Sequence, residues 1–208
     1  MRLFIFFVLM LFLLMTSVEA GSGKQQLNQF MQKVVTLDTG FTQEVISEDG
    51  DIVQSSHGRF MLSRPGKFRW EYEGATAQEI ISDGVSLWIY DKELAQATVK
   101  PLDDVIGASP AAILTRQRDI NKDYKVIEKS SSEGLNWVEL TPLDDNGDFK
   151  RILIGLDQKG IQAMNLHDQF GQTTTIRFRM PVFNTSINQE NFKFSPPAGV
   201  DVIGQPAS

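Results

Sequence analysis

Hydrophobic and polar residues alternate along most of this chain, and short turn signals interrupt the alternation at close intervals. Phe68, Trp70 and Tyr72, for example, are separated by the polar residues at 67, 69 and 71. A period of two places one face of a strand in a dry interior and the other in water. The turn signals are Asp49-Gly50, Pro65-Gly66, Ser82-Asp83-Gly84, Asn146-Gly147, Lys159-Gly160 and Phe170-Gly171. Because such short connections join antiparallel neighbours, the pattern predicts one antiparallel sheet of about ten to eleven strands between Phe41 and Phe194.

Two segments carry a helical pattern instead. Residues Lys24 to Leu37 have a stripe of apolar residues at helical spacing, formed by Leu27, Phe30, Met31, Val34 and Val35. The segment from Pro101 to Tyr124 is too long for a hairpin loop, and Ser109-Pro110 has the residue types of a helix start before 111–114. The predicted fold class is therefore mainly β with a few helices (α+β), with the two helices covering one side of a curved sheet.

The first 20 residues have the composition of a secretory signal peptide. Arg2 supplies a positive charge, residues 3–15 are apolar, and Val18 and Ala20 are small residues at the spacing that signal peptidase recognises. A transmembrane anchor is the alternative, but it needs about 20 apolar residues. We expect residues 1–20 to be cleaved and residues 21–208 to form one domain. Without a cysteine for lipid attachment, that domain should be free in an extracytoplasmic compartment.

Most kinds of catalytic or metal site are excluded by residue content. The chain has no cysteine, only two histidines, and a formal net charge of −6, which argues against binding nucleic acid. It lacks the nucleophile-elbow, P-loop, zinc-protease and dinucleotide motifs. The pairs Asp103-Asp104 and Asp144-Asp145, together with His57 and His167, are more simply explained as structural or surface residues. We therefore predict no enzymatic activity, no catalytic residue, no metal and no cofactor.

The sequence is also rich in aromatic residues. Ten of the 14 phenylalanines and all three tryptophans lie outside residues 1–20. They could simply fill an ordinary core. A curved sheet covered by apolar helices offers a second possibility, which is an interior that holds an apolar guest.

The order of motifs resembles the LolA family of periplasmic outer-membrane lipoprotein carriers. The resemblance covers nearly all of residues 24–203. It is carried by Phe41-Thr42-Gln43, by the stretch from Gly58 to Trp70 that contains Arg64-Pro65-Gly66, by 81–84 with 87–90, by Gln96-Ala97, and by the ending from Phe192 to Val202. No single piece is specific, but the ordered set is.

The resemblance implies an incomplete antiparallel β-barrel, or half-barrel, with a helical lid over an apolar cavity. It implies a monomeric periplasmic chaperone that shelters the acyl chains of lipoproteins. Its partners would be an inner-membrane ABC exporter (LolCDE-like), from which cargo is taken, and an outer-membrane receptor (LolB-like), to which cargo is passed. The receptor has a lipid-bearing cysteine, which this chain lacks, so a carrier is favoured. The alternative is a lipid-sensing envelope-stress regulatory module of similar half-barrel fold.

The resemblance also indicates which residues serve the cargo. Arg64 continues the apolar phase of Phe60 and Leu62, so in a regular strand its guanidinium should point into or across the mouth of the interior. The residues alone also allow a surface arginine beside the Pro-Gly turn. The family pattern places at this Arg-Pro position an arginine that binds backbone carbonyls of the lid. The predicted latch and cargo-binding residues are Arg64, Phe60, Phe68, Trp70, Tyr72 and Trp88, and the predicted lid residues are Phe30, Met31, Val34, Ile113 and Leu114. For each apolar residue, ordinary core packing is the alternative.

Overall fold

A computed structural model describes residues 22–74, 77–102, 110–115, 119–144 and 148–207 of the chain. The predicted signal peptide, the Ser109 helix cap, the Asp103-Asp104 pair and the Asn146-Gly147 turn lie outside these residues. No helix within the described ranges is both long enough and apolar enough to span a bilayer.

The alternating segments form strands, as predicted, and the first part of the helical stripe forms helix α1 (Gly23–Lys33). The helix ends earlier than predicted: Val34 is already extended, Val35 is exposed and β1 begins at Thr36. A short second helix, α2 (Pro110–Thr115), lies between the sixth and seventh strands. Within the described ranges, 3₁₀ turns are also present at Ile120–Lys122 and Gln189–Phe192. The strands are β1 (Thr36–Ile46), β2 (Ile52–Ser63), β3 (Lys67–Glu73), β4 (Gln78–Asp83), β5 (Ser86–Asp91), β6 (Gln96–Pro101), β7 (Tyr124–Glu128), β8 (Asn136–Pro142), β9 (Phe149–Asp157), β10 (Gly160–Asp168), β11 (Thr173–Phe183) and β12 (Asp201–Gly204).

The described strands form a single sheet in the order β12-β6-β5-β4-β3-β2-β1-β11-β10-β9-β8-β7. Two antiparallel meanders, β1–β6 and β7–β11, are joined where β1 pairs with β11. The connection that contains α2 therefore passes from a strand near one end of the sheet to the edge strand at the other end. Helix α2 lies within this connection, and the edges β12 and β7 do not pair with each other. The fold is the predicted incomplete barrel.

One apolar core unites both meanders. Phe60 of β2, Leu87 of β5 and Val138 of β8 belong to the same cluster of buried side chains, so the sheet curves around a common interior. Helix α1 packs over β7–β10 and α2 contacts β3. We call the face of the sheet that bears this core the concave face.

The C-terminal segment differs from the prediction. No strand forms at Phe194; the chain instead makes the 3₁₀ turn Gln189–Phe192, and only later does β12 pair with β6, in parallel. The two prolines at 196 and 197 lack the N–H groups that a strand ladder requires. Phe194 instead packs on Trp88 and Tyr90, with ring centroids 5.3 and 5.2 Å apart.

The predicted alternation also fails near the end of β11. Ile176 and Phe178 are buried, as their phase requires, but Met180 is almost fully exposed. Met180 has a φ of 49°, and the pairing with β1 shifts register at this point. An extra residue in one strand rotates the following side chains to the other face, which explains why Met180 does not join the core.

The close approach of β2 and β3 at Gly58 yields a stability prediction. A Cβ atom on Gly58 would overlap the carbonyl oxygen of Glu71. Gly58→Ala should therefore lower the free energy of unfolding by about 1–3 kcal/mol, as overpacking does. Gly40→Ala in β1 is the matched control, because its nearest neighbour would lie at an ordinary 3.6 Å. Urea titration checks the difference, and equal midpoints for the two variants would contradict it.

Candidate functional site

Arg64 lies directly after β2, in phase with Phe60 and Leu62 on the concave face. All three residues are buried, and Arg64 is only 7% exposed. A regular strand places residues i, i+2 and i+4 on the same side, so the apolar pattern itself carries the guanidinium into the core. The sequence-based orientation of Arg64 is confirmed.

The guanidinium binds backbone carbonyls from both helices. Its Nη1 donates to the carbonyl oxygens of Phe30 at 2.9 Å, Met31 at 2.7 Å and Val34 at 2.7 Å. Its Nε and Nη2 both donate to the carbonyl oxygen of Leu114, at 3.1 and 2.7 Å. The Phe30 ring adds a cation–π contact, with its centroid 4.9 Å from Cζ. One side chain thus joins α1 and α2.

These carbonyls are suitable partners for a buried cation. Phe30, Met31 and Val34 lie at the C-terminal end of α1, where carbonyls lack helical partners and the helix dipole is negative. No carboxylate forms a salt bridge with Arg64 in the part of the chain that the structure describes. Burial lowers the pKa of Arg64 to about 10, so the group remains protonated at neutral pH.

The predicted lid residues lie where the two helices meet the core. Phe30, Ile113 and Leu114 are buried, whereas Met31 and Val34 are partly buried. The Met31 thioether also lies 3.5 Å from Arg64 Nη2. Four of the five predicted lid residues therefore touch Arg64, and the fifth, Ile113, belongs to the same core cluster.

Aromatic rings line the concave face on β1, β2, β3 and β11. Trp70 lies between Phe60 and Phe41, with ring centroids 4.6 and 4.7 Å away, and Tyr72 lies 5.4 Å from Phe41. Phe178 of β11 closes the group at 6.2 Å from Phe60. We call these five residues the aromatic cluster. Phe68 is fully buried in the same core. It lies two residues before Trp70 on β3, on the side nearer to Arg64.

The resemblance implies an apolar cavity at this place, but in the structure the concave face bears an apolar core in which the rings pack directly against one another. Rings packed this closely leave an acyl chain no place until the helices and the rings separate. Tyr72 marks the polar limit of the cluster, because its hydroxyl donates to Gln43 Oε1 at 3.2 Å. Burial raises the pKa of the Tyr72 phenol, so this hydroxyl stays protonated and can donate.

Trp88 does not join the other predicted site residues. It pairs with Ile81 and Val99, and Ile81 in turn pairs with Arg69, whose side chain is on the opposite face from Phe68 and Trp70. Trp88 therefore lies on the convex face, where it packs on Phe194. The prediction that it faces the cargo was wrong in placement, because β5 has apolar residues on both faces and its period does not identify the inner one.

Sequence reasoning missed two members of the aromatic cluster, Phe41 and Phe178. The alternation of Ile176 and Phe178 with polar residues indicates a strand with both side chains on one face. Their meeting depends on the direct pairing of Phe41 with Phe178 between β1 and β11. These strands lie at opposite ends of the sequence, and local pattern cannot predict that they pair.

Comparison with known proteins gives a consistent result. The sequence profile of the outer membrane lipoprotein carrier protein LolA family matches residues 32–195. A protein of Nitrosospira multiformis named outer-membrane lipoprotein carrier protein is 43% identical, over 96% of this chain and 97% of that protein. A protein of Dechloromonas aromatica with the same name is 39% identical, over 93% of each chain. A conserved protein of Thermus thermophilus shares the fold, with a TM-score of 0.55 at 11% identity over 86% of this chain and 97% of that chain.

The contacts of Arg64 predict that its loss loosens both helices selectively. In Arg64→Leu, amide hydrogens of α2 and of the last turn of α1 should exchange at least about tenfold faster, since each charge-assisted bond contributes about 1.5–3 kcal/mol. Exchange in β9 and β10 should change little. Hydrogen–deuterium exchange with mass spectrometry measures this. Arg59→Leu is the control on the same strand, because Arg59 forms a half-exposed pair with Asp38; equal protection of α2 in both variants would refute the role.

Proposed function

The chain belongs to the family of outer membrane lipoprotein carrier proteins, LolA, and we propose that it carries acylated lipoproteins by sheltering their acyl chains against the concave face. One observation supports this most strongly. A single buried arginine holds two helices over an aromatic interior through reversible hydrogen bonds.

The cargo needs such a shelter. Removing one methylene from water is favourable by about 0.8 kcal/mol, so exposing a sixteen-carbon chain costs on the order of 12 kcal/mol. A lipoprotein with two or three acyl chains would not leave a membrane unaided. The concave face offers aromatic and aliphatic side chains to replace the membrane.

Release requires that the shelter not bind too tightly. Cargo must displace the contacts of Arg64 with Leu114 and with the end of α1 before it reaches the rings. The free energy of those contacts is subtracted from the free energy of binding. The closely packed interior also weakens cargo binding, since the aromatic cluster re-forms when the acyl chains leave.

The family supports a place in the cell and a class of partner. We propose that the chain works in the periplasm after removal of residues 1–20. There it would receive cargo from an inner-membrane exporter (LolCDE-like) and pass it to an outer-membrane receptor (LolB-like). This is a binding role without catalysis. The carrier names of the relatives favour it over the envelope-stress regulatory alternative.

The opposite placement of two tryptophans provides a direct test of where cargo binds. Brominated acyl chains on a lipidated peptide quench nearby indoles, so a Trp70-only variant (Trp88→Phe, Trp137→Phe) should lose fluorescence on binding. A Trp88-only variant (Trp70→Phe, Trp137→Phe) should lose several-fold less, because Trp88 lies on the convex face. Stronger quenching of Trp88 than of Trp70 would overturn the proposed binding face.

The latch role of Arg64 predicts a transfer defect. Arg64→Leu should fold and load lipoprotein but pass it to the receptor at least about tenfold more slowly, because the closing contacts no longer help to expel cargo. Transfer is measured as receptor-bound lipoprotein over time, with Arg59→Leu as control. If Arg64→Leu and the wild type transfer at equal rates, Arg64 is not a latch.

A further inference from the structure

We propose that Glu128 is a second latch, at the N-terminal end of the lid helix α1, and that α1 opens by lifting this end from the edge strand β7. The proposal rests on the proposed carrier function and adds the route by which cargo reaches the interior. The evidence for the proposal is that different kinds of contact hold the two ends of α1.

Among the described residues, side chains hold the N-terminal end of α1 to the sheet. Glu128 Oε1 accepts from the backbone N–H of Gly23 at 2.6 Å, and Oε2 accepts from that of Lys24 at 3.1 Å. Gln26 Oε1 accepts from Asn136 Nδ2 at 3.1 Å. A carboxylate at the first turn of a helix satisfies free N–H groups and complements the positive end of the dipole. Glu128 therefore does at this end what Arg64 does at the other.

The C-terminal end is held far more firmly. Three residues after Lys33 the chain is already in β1, so this end is covalently tied to the sheet. The Arg64 N–H donates to the Val35 carbonyl oxygen at 2.9 Å. Asn184 brackets the junction, because Oδ1 accepts from Val35 N at 2.8 Å and Nδ2 donates to the Lys33 carbonyl oxygen at 3.1 Å. This end is suited to act as the pivot.

The strand that carries Glu128 lies at an edge of the sheet. In the described sheet β7 pairs on one side only, with β8, and Glu128 is its last residue. Glu128 is exposed, so water can replace its contacts as the helix lifts. Breaking them frees the end of α1 without disturbing a central strand.

Lifting this end would uncover the apolar interior. Leu27 is buried beneath the N-terminal half of α1, and Gly23 packs so closely on Val138 that an added Cβ would lie 2.8 Å from its Cγ2. Helix α1 covers β7–β10. Acyl chains would thus pass between α1 and the β7–β10 half of the sheet, while the contacts of Asn184 keep the junction of α1 with β1 in place as the pivot.

A cross-linking experiment tests the route. Because the chain has no native cysteine, the maleimides react only with the cysteines that are introduced. Gln26→Cys with Asn136→Cys, joined by a short bis-maleimide, pins the lifting end. Thr36→Cys with Thr185→Cys pins the pivot end, where the Thr36 hydroxyl donates to the Thr185 carbonyl oxygen at 2.7 Å. Each cross-linked protein is compared with the same variant capped by N-ethylmaleimide. The measurement is the rate at which a di-acylated peptide is bound.

We expect the pinned lifting end to slow loading at least tenfold and the pinned pivot end to leave it unchanged. Equal loading by the cross-linked and capped 26/136 variants would overturn the second latch and leave the carrier function standing. Failure of the wild type and both capped variants to bind the acylated peptide would instead overturn the carrier function itself.

A charge substitution provides the second measurement. Glu128→Gln removes the carboxylate charge but keeps the side-chain shape, so exchange of the Gln26 and Leu27 amides should quicken several-fold and loading should become faster. Glu133→Gln is the control on the following turn, where Glu133 pairs with Arg177 at the surface. Unchanged exchange and loading in Glu128→Gln would contradict the proposal even if the cross-linked proteins behaved as expected.

Discussion

One buried guanidinium without a carboxylate partner among the described residues organises this protein. Arg64 satisfies carbonyls at the end of α1 and in α2, and those carbonyls in turn compensate its charge. Removing either side would leave buried polar groups unpaired, at a cost of about 1–3 kcal/mol for each neutral group. A lysine could not replace it, because only the fork of an arginine presents several donors in fixed directions. The two helices therefore stay closed or open together with this residue.

The two faces of the sheet perform separate tasks. The concave face carries the aromatic cluster and is covered by helices that polar contacts hold at their ends. The convex face under Trp88 and Tyr90 is covered by the C-terminal segment, in which Phe192 is buried and Phe194 packs on both rings. A sheet that must open on one side needs an independent source of rigidity. The contacts of Phe194 with Trp88 and Tyr90 provide it, since they involve neither α1 nor α2.

Much of the site could be predicted because its determinants are local. The phase from Phe60 through Leu62 to Arg64 depends only on the geometry of one strand, and the helical stripe of Phe30, Met31 and Val34 only on one helix. Predictions failed where a local pattern was ambiguous or interrupted. β5 is apolar on both faces, so Trp88 was assigned to the wrong one, and a register shift in β11 turned Met180 outwards. Glu128 carried no signal, since a lone glutamate in a surface strand is commonplace.

The sequence by itself determined the strands, their turns, the helical segments and the inward direction of Arg64, because periodicity and turn chemistry act over a few residues. The tertiary structure alone decided that β1 pairs with β11, that α2 meets Arg64, and that the aromatic rings pack against one another in the interior. It also decided that Glu128 meets the start of α1, 105 residues away in the chain. Such contacts depend on how the whole chain packs, so the residues of one short segment cannot predict them.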